Sequence, residues 1–505
     1  MNSYPLIKPM LFNMAITDKY IDTLTKPALF FVALLICTPF VNTSKAARED
    51  HYDQLPDLGS TAANYLSDHD AGLLGAAFIR QSRYRMPYIY DPELVQYVND
   101  LGDSLLKHST DADKDYHFYL IDNDVINAFA VPGGHIALHK AILVKSETES
   151  ELASVVGHEI SHVTQQHIAR KIEGSRFDSI IALGALLAAA AAGGGEAAQA
   201  AFGLSQATII DRQLRYSRSY EAEADSLGIR LMSKAGYNPA AMPVFFKRLL
   251  DENRINESSA PEFMRSHPLT INRIAESSER VKLYPVVEDR DESHFKLMQA
   301  KAMAGYAENP SLIRDMYRSK IKLGDNSIAT RYGYALALSE NNEFDLARQE
   351  FKPLLHEYPE NVTIALSNAN NELEDKNIDK GLDLLEILFT QERAKGNHLI
   401  DIYYANSLVL TDRNEEAIPI VRSAIANEKS EPYLHILLSR AYYETGDRMR
   451  SYQSRAEYHY LQGNYEFALR QIKMALDLSD SAYETARLNA RAVDIVEEIR
   501  ELEKL

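Results

Sequence analysis

The chain contains no tryptophan and a single cysteine, Cys37, which sits inside the apolar stretch 27–41. A disulfide framework is therefore excluded, and stability must come from core packing or a bound metal. Basic residues are scarce: 54 Lys and Arg face 72 Asp and Glu, for a net charge of −18. No basic stripe runs through the sequence, so nucleic acid, which is held through phosphate contacts, is excluded as a partner. Long apolar runs are also missing. The two main ones, residues 27–41 and 180–192, hold 15 and 13 residues, short of the ~20 that span a bilayer as a helix. What is present, 505 residues with 46% hydrophobic and 25% charged, is the balance of a folded protein of roughly two to three domains.

The run 27–41 follows Lys19 and Lys26 and precedes Ser44-Lys45-Ala46-Ala47, a small-x-small cleavage pattern. Residues 1–46 are therefore expected to be an export signal peptide, with an uncleaved anchor as the alternative. Removal takes out four Lys and two Asp, moves the charge to −20 and leaves a mature chain without cysteine. Residues 47–285 then mix helical periods with one strand region, and residues 286–505 read as helix throughout. Charged Val286–Ser293 joins the two parts.

The sharpest chemical pattern is His158-Glu159-Ile160-Ser161-His162. Leu152, Val155, Val156, Ile160 and Val163 supply the buried stripe of a helix beginning near Glu149. Positions four apart on such a helix differ by ~40°, so both imidazoles face one way and suit one Zn²⁺. Glu159 stands beside them, placed to take a proton from the attacking water. A catalytic zinc needs a third protein ligand. Ser217-Arg218-Ser219-Tyr220-Glu221-Ala222-Glu223-Ala224-Asp225 offers one on a second expected helix, where Glu221 and Asp225 share a face and Glu223 points away. By itself an Ala/Glu-rich helix reads as a solvated surface helix. Paired with the upstream motif it supplies Glu221 as third ligand, with Asp225 orienting a ligand histidine through its free N–H. His167, five residues past His162 and rotated from it by ~140°, is excluded as a ligand of the same ion.

Between these patterns, residues 180–192, Gly193-Gly194-Gly195 and residues 196–204 form an apolar helical hairpin. It is expected to be a buried helix pair. A cover over the cleft, a contact for apolar clients and a peripheral membrane contact are the alternatives.

The second half repeats with a period near 34 residues. Phe344-Asp345-Leu346-Ala347, Ile378-Asp379-Lys380-Gly381, Asn414-Glu415-Glu416-Ala417 and Arg448-Met449-Arg450-Ser451 are spaced 34, 36 and 34 apart, each expected to open the second helix of a helix-turn-helix pair. The best copies run from Tyr332-Gly333-Tyr334-Ala335 to Pro359 and from Ala456-Glu457-Tyr458 to Ala468. This pattern resembles the tetratricopeptide repeat, which implies a solenoid whose concave face binds polypeptide. An irregular helical domain is the alternative.

A His-Glu-x-x-His motif followed about sixty residues later by Glu221-x-x-x-Asp225 resembles the M48 zinc metallopeptidases, a gluzincin-type family. The resemblance extends to Leu55-Pro56-Asp57-Leu58-Gly59, Asp91-Pro92-Glu93-Leu94, the stretch Asn127–Ile136 and Arg265-Ser266-His267-Pro268-Leu269 with Arg273-Ile274. It covers nearly all of the mature chain. It implies an α+β, mainly helical fold, with a gluzincin-type metallopeptidase domain holding a small sheet, followed by an all-α tetratricopeptide-repeat solenoid. It further implies one Zn²⁺ per chain on His158, His162 and Glu221, and peptide hydrolysis with Glu159 as general base and later proton donor.

Asn127 to Leu138 reads as a strand entering and leaving a tight turn. In the family this is the edge strand beside the cleft, to which an extended substrate adds as a further strand. His135 and His139 are read as ordinary surface residues. The resemblance implies that His267 is a displaceable fourth zinc ligand that holds the enzyme latent, against the alternative of a histidine that anchors its loop. Family members with C-terminal repeats imply a periplasmic protein acting on unfolded or misassembled outer-membrane β-barrel proteins, with the repeats engaging the outer-membrane assembly machinery. The competing expectation is a chaperone or assembly adaptor with a vestigial protease site.

Overall fold

Residues 66–83, 85–174, 218–255, 262–287, 290–427 and 431–504 are described by the computed structural model. The expected signal peptide, Leu55–Gly59 and the apolar hairpin 180–204 lie outside them. The first helix, α1 (Asp68–Ser82), starts at Ser67, whose hydroxyl accepts from the Asp70 N–H. In α2 (Pro92–Leu106) the Asp91 carboxylate accepts from the Glu93 and Leu94 N–H groups, both at 3.1 Å. Pro92 takes the first helical position, where no N–H is needed.

Three strands, β1 (His117–Ile121), β2 (Ala128–Val131) and β3 (His135–His139), form a sheet of order β1-β3-β2. The central strand β3 runs parallel to β1 and antiparallel to β2, with Val131 opposite His135. The β2–β3 turn is Pro132-Gly133-Gly134, and its glycines have φ of +79° and +82°. These left-handed conformations favour residues without a Cβ. A Cβ on Gly133 would also stand 2.7 Å from the Ala71 carbonyl oxygen of α1. Every position of β3 is buried, because other parts of the protein cover both faces of the sheet there, and His135 and His139 are 8% and 5% exposed. They are not the surface residues expected. His135 Nδ1 lies 3.0 Å from the Tyr119 hydroxyl, and His139 Nδ1 lies 2.9 Å from the Val125 carbonyl oxygen.

After α3 (Lys140–Lys145) comes α4 (Glu149–Thr164), capped by the Thr148 hydroxyl on the Glu151 N–H. Every residue from Ser150 to His162 is buried, so α4 threads the core and shows no solvated face there. It packs against β2, α2, α6 (Arg218–Lys234) and α7 (Ala241–Ile255). Between α4 and α6 lies α5 (His167–Gly174); after α7 come α8 (Glu262–Ser266) and α9 (Ile271–Val281).

From Ser293 onward the described residues are helical: α10 (Ser293–Gly305), α11 (Pro310–Lys322), α12 (Ile328–Glu340), α13 (Phe344–Glu357), α14 (Val362–Glu374), α15 (Ile378–Ala394), α16 (Leu399–Leu410), α17 (Asn414–Asn427), α18 (Pro432–Glu444), α19 (Arg448–Leu461), α20 (Tyr465–Asp477) and α21 (Ala482–Leu502). Helices α13, α15, α17 and α19 begin at the four positions marked by the repeat spacing. Helix α20 begins 17 residues after α19, half a period, so α19 closes one pair and opens the next.

One apolar cluster runs from Ile89 to Ile364, joining the sheet and α4 to the first repeat helices. At its margin the Lys301 ammonium of α10 binds Glu93 and lies 3.1 Å from both Asp91 and the Tyr403 hydroxyl of α16. The last helix returns to the first: Leu502 packs with Leu74 and Ala77, and Glu498 pairs with Arg80. No helix among the described residues is long and apolar enough to cross a membrane.

Candidate metal centre and active site

Helices α4 and α6 approach through a pair of glycines. A Cβ on Gly228 would stand 3.2 Å from the Gly157 carbonyl carbon and from the His158 nitrogen. Two side chains without Cβ atoms let the backbones close up, and the Glu221–Asp225 face of α6 comes to lie over His158 and His162.

One ligand atom from each of His158, His162, Glu221 and His267 lies within 4.8 Å of all the others. His158 Nε2 is 3.0 Å from His162 Nε2 and 3.2 Å from His267 Nδ1. Glu221 Oε1 is 3.1 Å from His267 Nδ1 and 3.5 Å from His162 Nε2, and Glu221 Oε2 is 3.5 Å from His158 Nε2. Donors bound at ~2.0–2.1 Å around a tetrahedral ion stand ~3.3 Å from one another. The four residues therefore fit one metal ion, and none is more than 1% exposed.

A further layer holds these groups. Asp225 Oδ1 lies 3.0 Å from His158 Nδ1. Arg273 of α9 donates to both Asp225 oxygens, through Nε at 2.8 Å and Nη2 at 2.7 Å. Its Nη1 lies 2.7 Å from Glu221 Oε2 and 3.1 Å from the Pro268 carbonyl oxygen, which also tethers the loop carrying His267. Burial disfavours charge on every group here, and the pairings decide which groups keep it. Against burial, Arg273 and then His158 hold the Asp225 carboxyl below its usual range. Against burial, His267 and His158 hold Glu221 well below its own. Burial alone would lower the His158 imidazole, yet Asp225 and Glu221 carry it up to about 9 in the metal-free protein. His162, buried and next to His158, is pushed well down.

Glu159 differs from all of these. No side chain donates a hydrogen bond to either of its buried oxygens, and His267 Nε2 stands 3.4 Å from Oε1. Burial pushes this carboxyl upward, against the opposing pull of His267, His158 and the Ala130 backbone. An orphaned acid beside a ligand cluster is poised to exchange a proton with something that enters the site. The far edge of β2 has no strand partner among the described residues. A cavity of about 220 Å³ opens there, lined by Ala71, Gly72, Ala130, Val131, His162 and Ile168 among others.

All six site residues expected from the sequence, His158, Glu159, His162, Glu221, Asp225 and His267, meet at this place. His167 stays outside the ligand group, and Glu223, turned away from it, binds His167 and Arg170. Two features were missed by sequence reasoning: the clamp by Arg273 and the pairing of His167 with Glu223. The signal for the first was electrostatic, because one helix face that buries two carboxylates demands a cation nearby.

A buried HExxH helix crossed by a Glu-x-x-x-Asp helix is the arrangement of a metallopeptidase. The model of Peptidase family M48 matches residues 92–281. The beta-barrel assembly-enhancing protease of Escherichia coli (strain K12) is 31% identical over 481 residues, covering 94% of this chain and 96% of that one. The corresponding protein of Yersinia pestis is 35% identical over 318 residues, 61% of this chain and 64% of that one. The mitochondrial metalloendopeptidase OMA1 of Schizosaccharomyces pombe is 30% identical over 195 residues, 39% of this chain and 55% of that one. The chain belongs to peptidase family M48 and is a metalloendopeptidase. A purely adaptor role is not favoured.

Proposed function

We propose that this chain is a periplasmic zinc metalloendopeptidase with chaperone-like activity that promotes assembly, or degrades misassembled forms, of outer-membrane β-barrel proteins. The observation that carries the peptidase reading is the convergence of His158, His162, Glu221 and His267 beside the orphaned carboxylate of Glu159. Three imidazoles and one carboxylate are a donor set that suits zinc. When bound, the ion would polarise the scissile carbonyl and activate water. Glu159 takes the proton of the attacking water and passes it to the leaving amine nitrogen, a cycle favoured by its raised proton affinity. Asp225 orients His158 through Nδ1, and Arg273 keeps Asp225 ionised and pairs with Glu221.

The open edge of β2 receives an extended segment as an added strand, read through its backbone, which suits unfolded clients of varied sequence. The neighbouring cavity takes one side chain of that segment. His267 occupies the fourth position as a displaceable ligand. Seated, it excludes the attacking water; displaced, it admits water and substrate. Residues 1–46 direct export, residues 47–285 cut, and residues 286–505 act as tetratricopeptide repeats that engage clients and the outer-membrane assembly machinery. The barrel-assembly part of this reading is supported by the names of the relatives matched along most of the chain.

The test compares purified mature protein carrying His267→Ala with the same protein carrying Glu159→Gln as well, each incubated with an unfolded outer-membrane barrel precursor. Fragments from the first and none from the second, at one zinc per chain in both, is the expected result. No fragments from either, with zinc bound and precursor retained, would overturn the peptidase reading in favour of an adaptor.

A further inference from the structure

His167 is 0% exposed, and its two ring nitrogens join the ligand group to a carboxylate. Its Nδ1 lies 2.7 Å from His162 Nδ1, and its Nε2 lies 3.1 Å from Glu223 Oε2. Arg170 Nη1 donates to the same Glu223 oxygen at 3.0 Å. The His167 ring stacks on Tyr220, with centroids 4.6 Å apart and planes 11° from parallel.

Two imidazole nitrogens at that separation need one N–H and one lone pair between them. His162 turns Nε2 toward His158 and Glu221. A ring nitrogen that binds metal carries no proton, so the single proton of neutral His162 belongs on Nδ1. His162 then donates to His167 Nδ1. The proton of His167 is left on Nε2, and it donates to Glu223. The opposite direction would put a proton on His162 Nε2 and take that ligand away.

We propose that His167 and Glu223 are positioning residues for the metal centre, fixing the tautomer and ring plane of His162 as Asp225 does for His158. This rests on the reading of the four-residue group as a metal site. Helix α6 then supplies three functions at alternate positions: Glu221 as ligand, Glu223 as anchor of one histidine through His167, and Asp225 as direct anchor of the other. Partners of this kind stiffen a ligand and raise its basicity.

The test uses the full mature chain, stripped of metal, and measures zinc affinity by competition with a chromogenic chelator beside a thermal melt of each metal-free form. His167→Phe keeps a ring on Tyr220 and removes both nitrogens. Glu223→Ala removes the anchor at a partly exposed position. The expected result is zinc affinity lowered by about 10–100-fold in His167→Phe and by a smaller factor in Glu223→Ala. The double variant should be no weaker than His167→Phe alone, because both act through one chain of contacts. His167→Gln, which keeps an acceptor and a donor, should recover part of the loss. A role in packing alone would lower the melting temperature and leave zinc affinity untouched. Wild-type affinity in folded His167→Phe overturns the proposal; if that variant does not fold, wild-type affinity in Glu223→Ala does so. A wild-type chain that binds no zinc brings down the metal reading itself.

Discussion

Arg273 answers two buried carboxylates at once, and its loss would leave Glu221 and Asp225 to share the single cation at His158. Uncompensated buried charge of this kind typically costs about 3–5 kcal/mol. Arg273→Met is therefore expected to destabilise the metal-free protein by that amount in urea, and by less with zinc present, since the ion takes over part of the neutralisation. A second residue-scale effect lies at His135. Burial first, then His117, Arg80 and Arg83, lower its imidazole to about 3. The folded value lies below the unfolded ~6.5, so the unfolded chain binds the proton more readily. Stability from this group is complete above pH ~6.5 and is lost as the pH falls toward 3. Between pH 7.5 and 5.5 the expected loss is about 1 kcal/mol, and His135→Gln should show a flatter dependence of the urea midpoint over that window. Sequence alone put His135 at the surface, because a histidine carries no mark of whether the sheet face it lies on will be covered.

At the scale of elements, the site depends on how closely α4 and α6 approach. The helical period placed His158 and His162 on one face, and Glu221 and Asp225 on another, before any contact between them was known. Nothing in either period says that the two faces meet. Gly228 decides this, because a Cβ there would press on the α4 backbone at Gly157 and His158, 3.2 Å away. Gly228→Ala would set a methyl 3.2 Å from the His158 nitrogen and 3.0 Å from Met242 Cε. Met242 is flexible and yields; the α4 backbone does not. The expected outcome is a loss of about 1–3 kcal/mol, together with weaker zinc binding, read by urea denaturation and chelator competition on the same sample. The repeat helices show the reverse case. Their second helices start where the 34-residue spacing marks them, because turn residues and small-residue positions are local signals.

For the whole molecule, α1 has two duties. Ala71 and Gly72 line the cavity next to β2, and Arg80 and Leu74 receive the last helix, α21. Glu498 accepts from Arg80 and, at 3.1 Å, from the Tyr465 hydroxyl. The Arg80 and Glu498 side chains are 10% and 14% exposed, so breaking the pair leaves a charge that water cannot easily reach. Glu498→Ala is expected to destabilise by about 3 kcal/mol and to speed hydrogen exchange in both 68–82 and 482–502. Because α1 also walls the cavity, substrate affinity should fall with it, whereas zinc affinity should not. Unchanged exchange in residues 68–82 would show that α1 is held by its sheet contacts alone.

The sequence by itself determined the register of His158 with His162 and of Glu221 with Asp225 on their helices, the glycine turn between β2 and β3, and the starts of the repeat helices. Each of these depends on residues a few positions apart, where backbone geometry fixes what faces what. Only the tertiary structure decided that α4 is buried on all sides, that Arg273 clamps Glu221 and Asp225, that His167 bridges His162 to Glu223, and that α21 closes on α1. Those pairings join residues 5 to 418 positions apart, and packing of surfaces against one another, not local periodicity, selects among the many partners each side chain could have met.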